Sequence, residues 1–316
     1  MITLVNTAKE ISSKTDASTL HNEHGISVHG VYELTKPRLS LLSVFTASLG
    51  YLVHDPLVNN FSIFVALTTG TAFSAAGAAA LNQWLERKED ALMPRTSNRP
   101  IPAKLVSPQF AFFFGIFISI IGLTILLLGT NAWAFSFTLL TLIAYLLLYT
   151  PLKKKSHFAI EVGAISGALP PLIGWVAAAN SPTTYGWILF GILFAWQLPH
   201  FLAIAWNFRE DYQRGGFQFH DSGDPTGVAL GRKSFIYTLL LNFFVFSPFL
   251  FNLGEGYRQP GVFYLVCAIL LTLFITLRSL DFCFGKDRNR SAKHLFIASI
   301  VYLPLLLSAL VIDRYL

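Results

Sequence analysis

Three oxygen-bearing side chains, Asn82, Glu86 and Asp90, recur at intervals of four in ALNQWLERKEDALMPRTSNRPIP, residues 80–102. At about 100° per residue they stay on one helix face. Amide and carboxylate oxygens suit a hard cation such as Mg²⁺, which keeps several waters and shares its coordination sphere with substrate phosphates. Arg95 and Arg99 follow at once, and a guanidinium fork matches phosphate oxygens. An oxygen-rich helix end beside a basic loop makes a diphosphate site if both reach the same side of the molecule.

A second constellation lies in FAWQLPHFLAIAWNFREDYQRGGF, residues 194–217. His200, Asn207 and Asp211 are spaced by seven and four, so a continuous helix would present them on one face, with Glu210 off it and Arg209 nearly opposite. Two such faces meeting would clamp two metal ions on one diphosphate. Between the two motifs stand Lys153, Lys154 and Lys155. Lys153 and Lys154 are candidate diphosphate donors, although anchoring of the topology explains this cluster equally well.

The elements that position these groups are membrane helices. Apolar residues make up 53% of the 316, charged residues 13%, and mean hydropathy is +0.55. Apolar runs predict nine transmembrane helices near 34–53, 57–81, 108–129, 132–150, 159–178, 184–206, 234–253, 260–279 and 294–312. The expected architecture is an all-α polytopic integral membrane protein: a polar cytosolic tail over 1–30 and one transmembrane domain over 31–316. All Lys and Arg except Arg258 and Arg314 fall in the tail, at helix ends on one side, or in the loops after helices two, four, six and eight. That side is expected to be cytoplasmic, with the C-terminus outside. The net charge of +6 therefore requires no nucleic acid. Cys267 and Cys283 have no CxxC spacing, which disfavours a zinc site or a disulfide framework. Trp175, Trp187 and Trp206 near helix ends are expected at the membrane interface. Glu161 is the one acid expected at mid-depth, and the GxxxG at 163–167 and the PP at 170–171 suggest a close helix contact and a kink.

The strings NQWLERKEDALMPRTSNRPIP at 82–102, YTPLKKKSHFAIEVGAISGALPPLIGW at 149–175 and WQLPHFLAIAWNFREDYQRGGF at 196–217, in this order among nine helices, resemble the UbiA family of intramembrane prenyltransferases. Within it they are most similar to the haem O synthase branch. The resemblance implies a UbiA-type helical bundle in a bacterial plasma membrane. It also implies Mg²⁺ held by Asn82, Glu86, Asp90 and Asp211, and diphosphate contacts from Arg95, Arg99, Lys153 and Lys154. The implied reaction transfers farnesyl from farnesyl diphosphate to a vinyl group of haem B, with His200 and Asn207 handling the haem. A downstream haem-modifying enzyme or a terminal oxidase assembly is the implied recipient. Glu86 stands where many relatives carry Asp, and His200 and Asn207 stand where relatives acting on aromatic acids carry acids. Ala159 stands where the haem branch is expected to carry Asn.

Two other readings remain at this point. A UbiA-type enzyme with a quinone-precursor acceptor would share the metal half of the site. A transporter would need ionisable groups at mid-depth, whereas here they cluster at helix ends. No GxSxG, HExxH or GxxxxGK[ST] pattern occurs, in keeping with chemistry run by position and electrostatics.

Overall fold

The structure is a computed structural model and describes residues 27–156, 158–217, 224–253 and 257–316. The expected tail therefore lies outside the described residues up to residue 26. Within the described residues all regular structure is helical: α1 (Val28–Leu34), α2 (Pro37–His54), α3 (Phe61–Leu85), α4 (Arg87–Asp90), α5 (Pro108–Gly129), α6 (Ala132–Leu152), α7 (Ala159–Ala179), α8 (Thr184–Asn207), α9 (Arg209–Arg214), α10 (Val228–Phe246), α11 (Val262–Phe284) and α12 (Arg288–Ile312). Eight of these are long and apolar enough to cross a bilayer. The 18-residue α2, diluted by Arg38 and His54, is long enough but less apolar, so the described residues hold eight such spans where nine were expected.

The boundaries differ from the expected ones where charge was taken as an end. Helix α10 starts at Val228 rather than near 234 and takes Arg232 and Lys233 into its first turns; α12 starts at Arg288 rather than near 294, capped by Asp287, whose side chain accepts from the Arg290 amide at 3.1 Å. Long basic side chains tolerate this because their stems lie along apolar surface while the charge reaches the interface. Helix α3 runs four residues past its expected end because Asn82 and Gln83 are buried against partners rather than solvated.

Small residues set how closely the helices approach. A Cβ on Gly174 of α7 would stand 1.8 Å from the Ala47 carbonyl oxygen of α2, and one on Gly50 would stand 2.0 Å from that of Pro171. Backbone therefore touches backbone, and any side chain at either position must push α2 and α7 apart, an overpacking cost of about 1–3 kcal/mol. The GxxxG at 163–167 acts differently from expectation. Gly163 admits the Tyr149 ring and Gly167 admits the Gln197 amide, so it receives side chains rather than a second backbone. Helix α7 continues through Pro170 and Pro171.

Three further expectations are corrected. Trp175 and Trp206 are buried: Trp175 stacks on Tyr185 with ring centroids 4.9 Å apart, and the Trp206 indole donates to Asn289 at 2.9 Å. Only Trp187 keeps an exposed face. Glu161 lies in the first turn of α7 rather than at mid-depth, where it accepts from the Tyr237 hydroxyl at 2.7 Å and pairs with Lys233.

Candidate active site

Helix α3 breaks at Glu86 (φ −94°, ψ 9°) and restarts as the single turn α4. The amides of Glu86 and Asp90 still donate to the Asn82 and Glu86 carbonyls at 2.9 and 2.8 Å. The spacing of four thus survives the break, and Asn82, Glu86 and Asp90 are 1%, 5% and 0% exposed. Each one meets a basic side chain. Lys36 donates to Asn82 Oδ1 at 3.0 Å, Lys153 to Glu86 Oε1 at 2.6 Å, and Arg99 Nη1 to both Asp90 oxygens at 2.7 Å.

The three partners arrive from different directions. Lys36 precedes α2 in a left-handed conformation (φ 44°, ψ 61°), an uncommon state for a residue with a Cβ, and this turns its side chain back toward α3. Lys153 follows a π-helical turn, Ala144–Tyr149 in α6, of the kind often found at functional sites. There the Thr150 hydroxyl donates to the Tyr145 carbonyl at 2.9 Å, and the Lys153 ammonium lies 4.5 Å from the Tyr149 ring centroid. Arg99 belongs to the loop after α4, where Thr96 donates to the Asp90 carbonyl at 2.9 Å.

Charge and burial oppose each other throughout the cluster. Burial alone would raise the Glu86 carboxyl, but the charge and hydrogen bond of Lys153, with Lys36 and Arg99, hold it below the ordinary carboxylate value. Burial pushes Lys36 down to about 7, aided by Arg99 and resisted by Glu86. Lys36 was not among the residues singled out from the sequence; it stood in a basic TKPR string that reads as a topology anchor.

The second motif is arranged differently from its expected single face. Helix α8 ends at Asn207, Phe208 breaks the path (φ −117°, ψ 24°), and Asp211 lies on the separate short helix α9. Asp211 pairs only loosely with Arg214 at 3.9 Å, its side chain 20% exposed. The two motifs are nevertheless joined: the Arg95 guanidinium stacks on Phe208 and Tyr212, 4.6 and 5.3 Å from their ring centroids. Lys154 is paired with Glu89 in a more exposed position. Ala159 is fully buried at the start of α7.

An apolar cavity of about 380 Å³ runs inward from this cluster between α2, α3, α6, α7 and α8, with Lys36, Tyr145, Gln197 and His200 among its lining residues. A second, polar cavity of about 330 Å³ lies on the other side of Lys36, against Arg95, Asn98 and Arg99. Lys36 thus lines both. Of the second motif, His200 faces the apolar cavity; Asn207 and Asp211 line neither.

The donors are all oxygens, which fits Mg²⁺ in chemistry. Among the described residues no three His, Cys, Asp or Glu side chains converge on one point. An ion here would take one or two carboxylates from the protein and the rest of its sphere from phosphate and water, the usual manner of this ion.

The sequence profile of the UbiA prenyltransferase family matches residues 43–300. The chain is 45% identical to the protoheme IX farnesyltransferase of Opitutus terrae over 282 residues, covering 89% of this chain and 93% of that one. It is 38% identical to that of Solibacter usitatus, covering 89% and 97%. Among solved structures, a digeranylgeranylglyceryl phosphate synthase superposes with TM-score 0.76 at 14% identity, over 92% of this chain and 99% of that one. A UbiA homologue from Archaeoglobus fulgidus bound to GPP and Mg²⁺ superposes with TM-score 0.57 at 12% identity, over 89% and 99%. These likenesses agree with the all-helical order of the described residues: the chain belongs to the UbiA prenyltransferase family.

Proposed function

We propose that the protein transfers the farnesyl group of farnesyl diphosphate to a vinyl group of haem B, with addition of water, to give haem O and diphosphate. The observation that carries this reading is one cavity lined at its polar end by Lys36, which is bonded to the first motif, and deeper by His200. The groups assigned to the donor and to the acceptor therefore border the same space. The names of the relatives with 45% and 38% identity support the same acceptor.

Asn82, Glu86, Asp90 and Asp211 would hold Mg²⁺, which when bound supplies positive charge to the departing diphosphate. Lys36, Lys153, Arg95 and Arg99 bind and orient the diphosphate oxygens. Lys154, held by Glu89, would join them only by leaving that pair. The C1–O bond of the donor breaks with its electron pair passing to diphosphate. The vinyl π pair forms the new C–C bond, and water traps the resulting cation beside the porphyrin and loses a proton. The apolar wall, with Leu142, Ile173 and Leu193, keeps water from the allylic carbon until then. Asn207, at the end of α8, is assigned to haem handling with His200.

Mass analysis of haems extracted from membranes with and without the protein tests the reaction. A farnesylated hydroxyethyl haem that appears only with the protein is expected; a prenylated quinone precursor in its place would reassign the acceptor. We place the motif end in the cytoplasm and the C-terminus outside, by the distribution of Lys and Arg. The product then passes to a haem-modifying enzyme or an oxidase assembly in the same membrane. In intact cells, a cysteine at Ser181 should react with an impermeant thiol reagent and one at Asn98 should not; the reverse pattern would invert the assignment.

A further inference from the structure

His200 is held on three sides. Its ring stacks between Trp196 and Phe296, with centroids 4.9 and 5.2 Å away and interplanar angles of 18° and 27°. Its Nδ1 lies 2.7 Å from Ser299 Oγ, its one hydrogen-bond partner among the described residues. The remaining nitrogen, Nε2, is left for the cavity that His200 lines.

The proton on this contact can be assigned from the neighbours. Ser299 Oγ is also 2.7 Å from the carbonyl oxygen of Phe296, one helical turn back. A hydroxyl has one hydrogen. If Ser299 spent it on Nδ1, two oxygen lone pairs would face each other at 2.7 Å. If it donates to Phe296, it can accept from Nδ1–H, and both short contacts become hydrogen bonds. Ser299 itself is fully buried, and its carbonyl accepts from the Trp196 indole at 2.8 Å, so the hydroxyl cannot readily turn elsewhere. The imidazole is thereby set with hydrogen on Nδ1 and a lone pair on Nε2.

We infer that Ser299 is a positioning residue for the acceptor, fixing His200 in the tautomer that presents the Nε2 lone pair to the haem iron. The inference rests on the reading that haem B is the acceptor, and it narrows what His200 does there. A nitrogen without hydrogen cannot donate to a propionate and would repel it, whereas it is the nitrogen that an iron atom takes. The Nδ1–H···Oγ bond is the outer-shell contact that orients a ligating imidazole, and loss of such a contact typically weakens metal binding by about 10–100-fold.

The test uses the purified full-length protein titrated with haem B. Its readouts are haem affinity, the iron–histidine stretching band of the ferrous complex, farnesyl diphosphate affinity and the melting temperature. Wild type should show the band and His200→Ala should lack it. Ser299→Ala should bind haem about tenfold more weakly with a shifted band, while farnesyl diphosphate affinity and melting hold. Ser299→Thr, which restores the hydroxyl, should recover the band. An unchanged band and haem affinity in Ser299→Ala, with the band lost in His200→Ala, would overturn the role of Ser299 and leave the acceptor reading standing. Parallel losses of farnesyl diphosphate affinity and melting temperature in Ser299→Ala would make it a packing residue only. An unaltered haem spectrum in His200→Ala overturns the inference through His200, and absence of farnesylated haem in membranes removes the reading beneath it.

Discussion

At the end of α3 each side chain of the first motif already meets a basic side chain, at 2.6–3.0 Å, whereas on α9 Asp211 meets Arg214 only at 3.9 Å. One half of the site is buried and paired; the other is more exposed and open. The contrast follows from where each motif lies. Asn82, Glu86 and Asp90 are buried beneath α1, α2 and the loop after α4, and a buried carboxylate without a counterion would cost several kcal/mol. Asp211, on a short helix with its side chain one-fifth exposed, is open to solvation and needs no such partner. An arriving magnesium diphosphate must therefore exchange counterions in the first half, releasing Lys36, Lys153 and Arg99 from the protein's oxygens toward its own. In the second half it finds a ligand with little to displace.

The largest effect is expected at Asp90. Asp90→Asn leaves the Arg99 guanidinium facing a neutral amide in a buried setting, and breaking a buried pair of this kind costs about 3 kcal/mol or more. It also removes a charge from the metal site. Turnover should fall by at least about 100-fold, and the melting temperature in detergent should drop with it. Wild-type Mg²⁺-dependent turnover in this variant would remove Asp90 from the site and with it the idea that the closed half is the catalytic one.

Asp211→Asn should separate the two halves. Its side chain is one-fifth exposed and its ion pair long, so melting should change by little, on the order of 0.5 kcal/mol in stability. Turnover should still fall about 10- to 100-fold, because an oxygen ligand of full charge is replaced by an amide. A stability loss matching that of Asp90→Asn would show that both halves are closed and erase the contrast.

The sequence made some of this arrangement legible and hid the rest, for definable reasons. The i to i+4 hydrogen bonds persist on both sides of Glu86 and of Phe208, so neither break is marked by lost backbone pairing. Nothing in FAWQLPHFLAIAWNFREDYQ shows Phe208 as the point where the helix path turns and carries Asp211 onto a separate helix. Helix number followed from hydropathy, whereas helix ends were misplaced wherever a basic side chain could snorkel, as at Arg232, Lys233 and Arg290. Lys36 and Ser299 escaped notice altogether. Their partners, Asn82 and His200, lie 46 and 99 residues away, and no periodicity carries information over such distances. A lysine before KPR's proline reads as an anchor and a serine in an apolar run reads as filler until the fold brings each to a neighbour.

The smallest expected effect is also the most direct probe of counterion exchange. Lys36, pushed down to about 7, is mostly neutral at pH 8 while the site holds no anion. Diphosphate favours the ammonium form, so binding should draw a proton from solution. The sign follows from linkage. Below pH 7 Lys36 already carries its proton and uptake is small; above pH 7 the bound state holds more protons than the free state, so affinity falls as pH rises, at most tenfold per unit for one proton. Calorimetry of inorganic diphosphate binding at pH 8, in two buffers of different ionisation heat, should report uptake of a fraction of a proton up to one. Lys36→Met should abolish the uptake, flatten the pH dependence and weaken binding only severalfold, since Lys153 and Arg99 remain. Uptake that persists unchanged in Lys36→Met would place the titrating group elsewhere and deny Lys36 its part in the exchange. Its loss, with Asp211→Asn still taking up the proton, would locate the exchange in the closed half of the site.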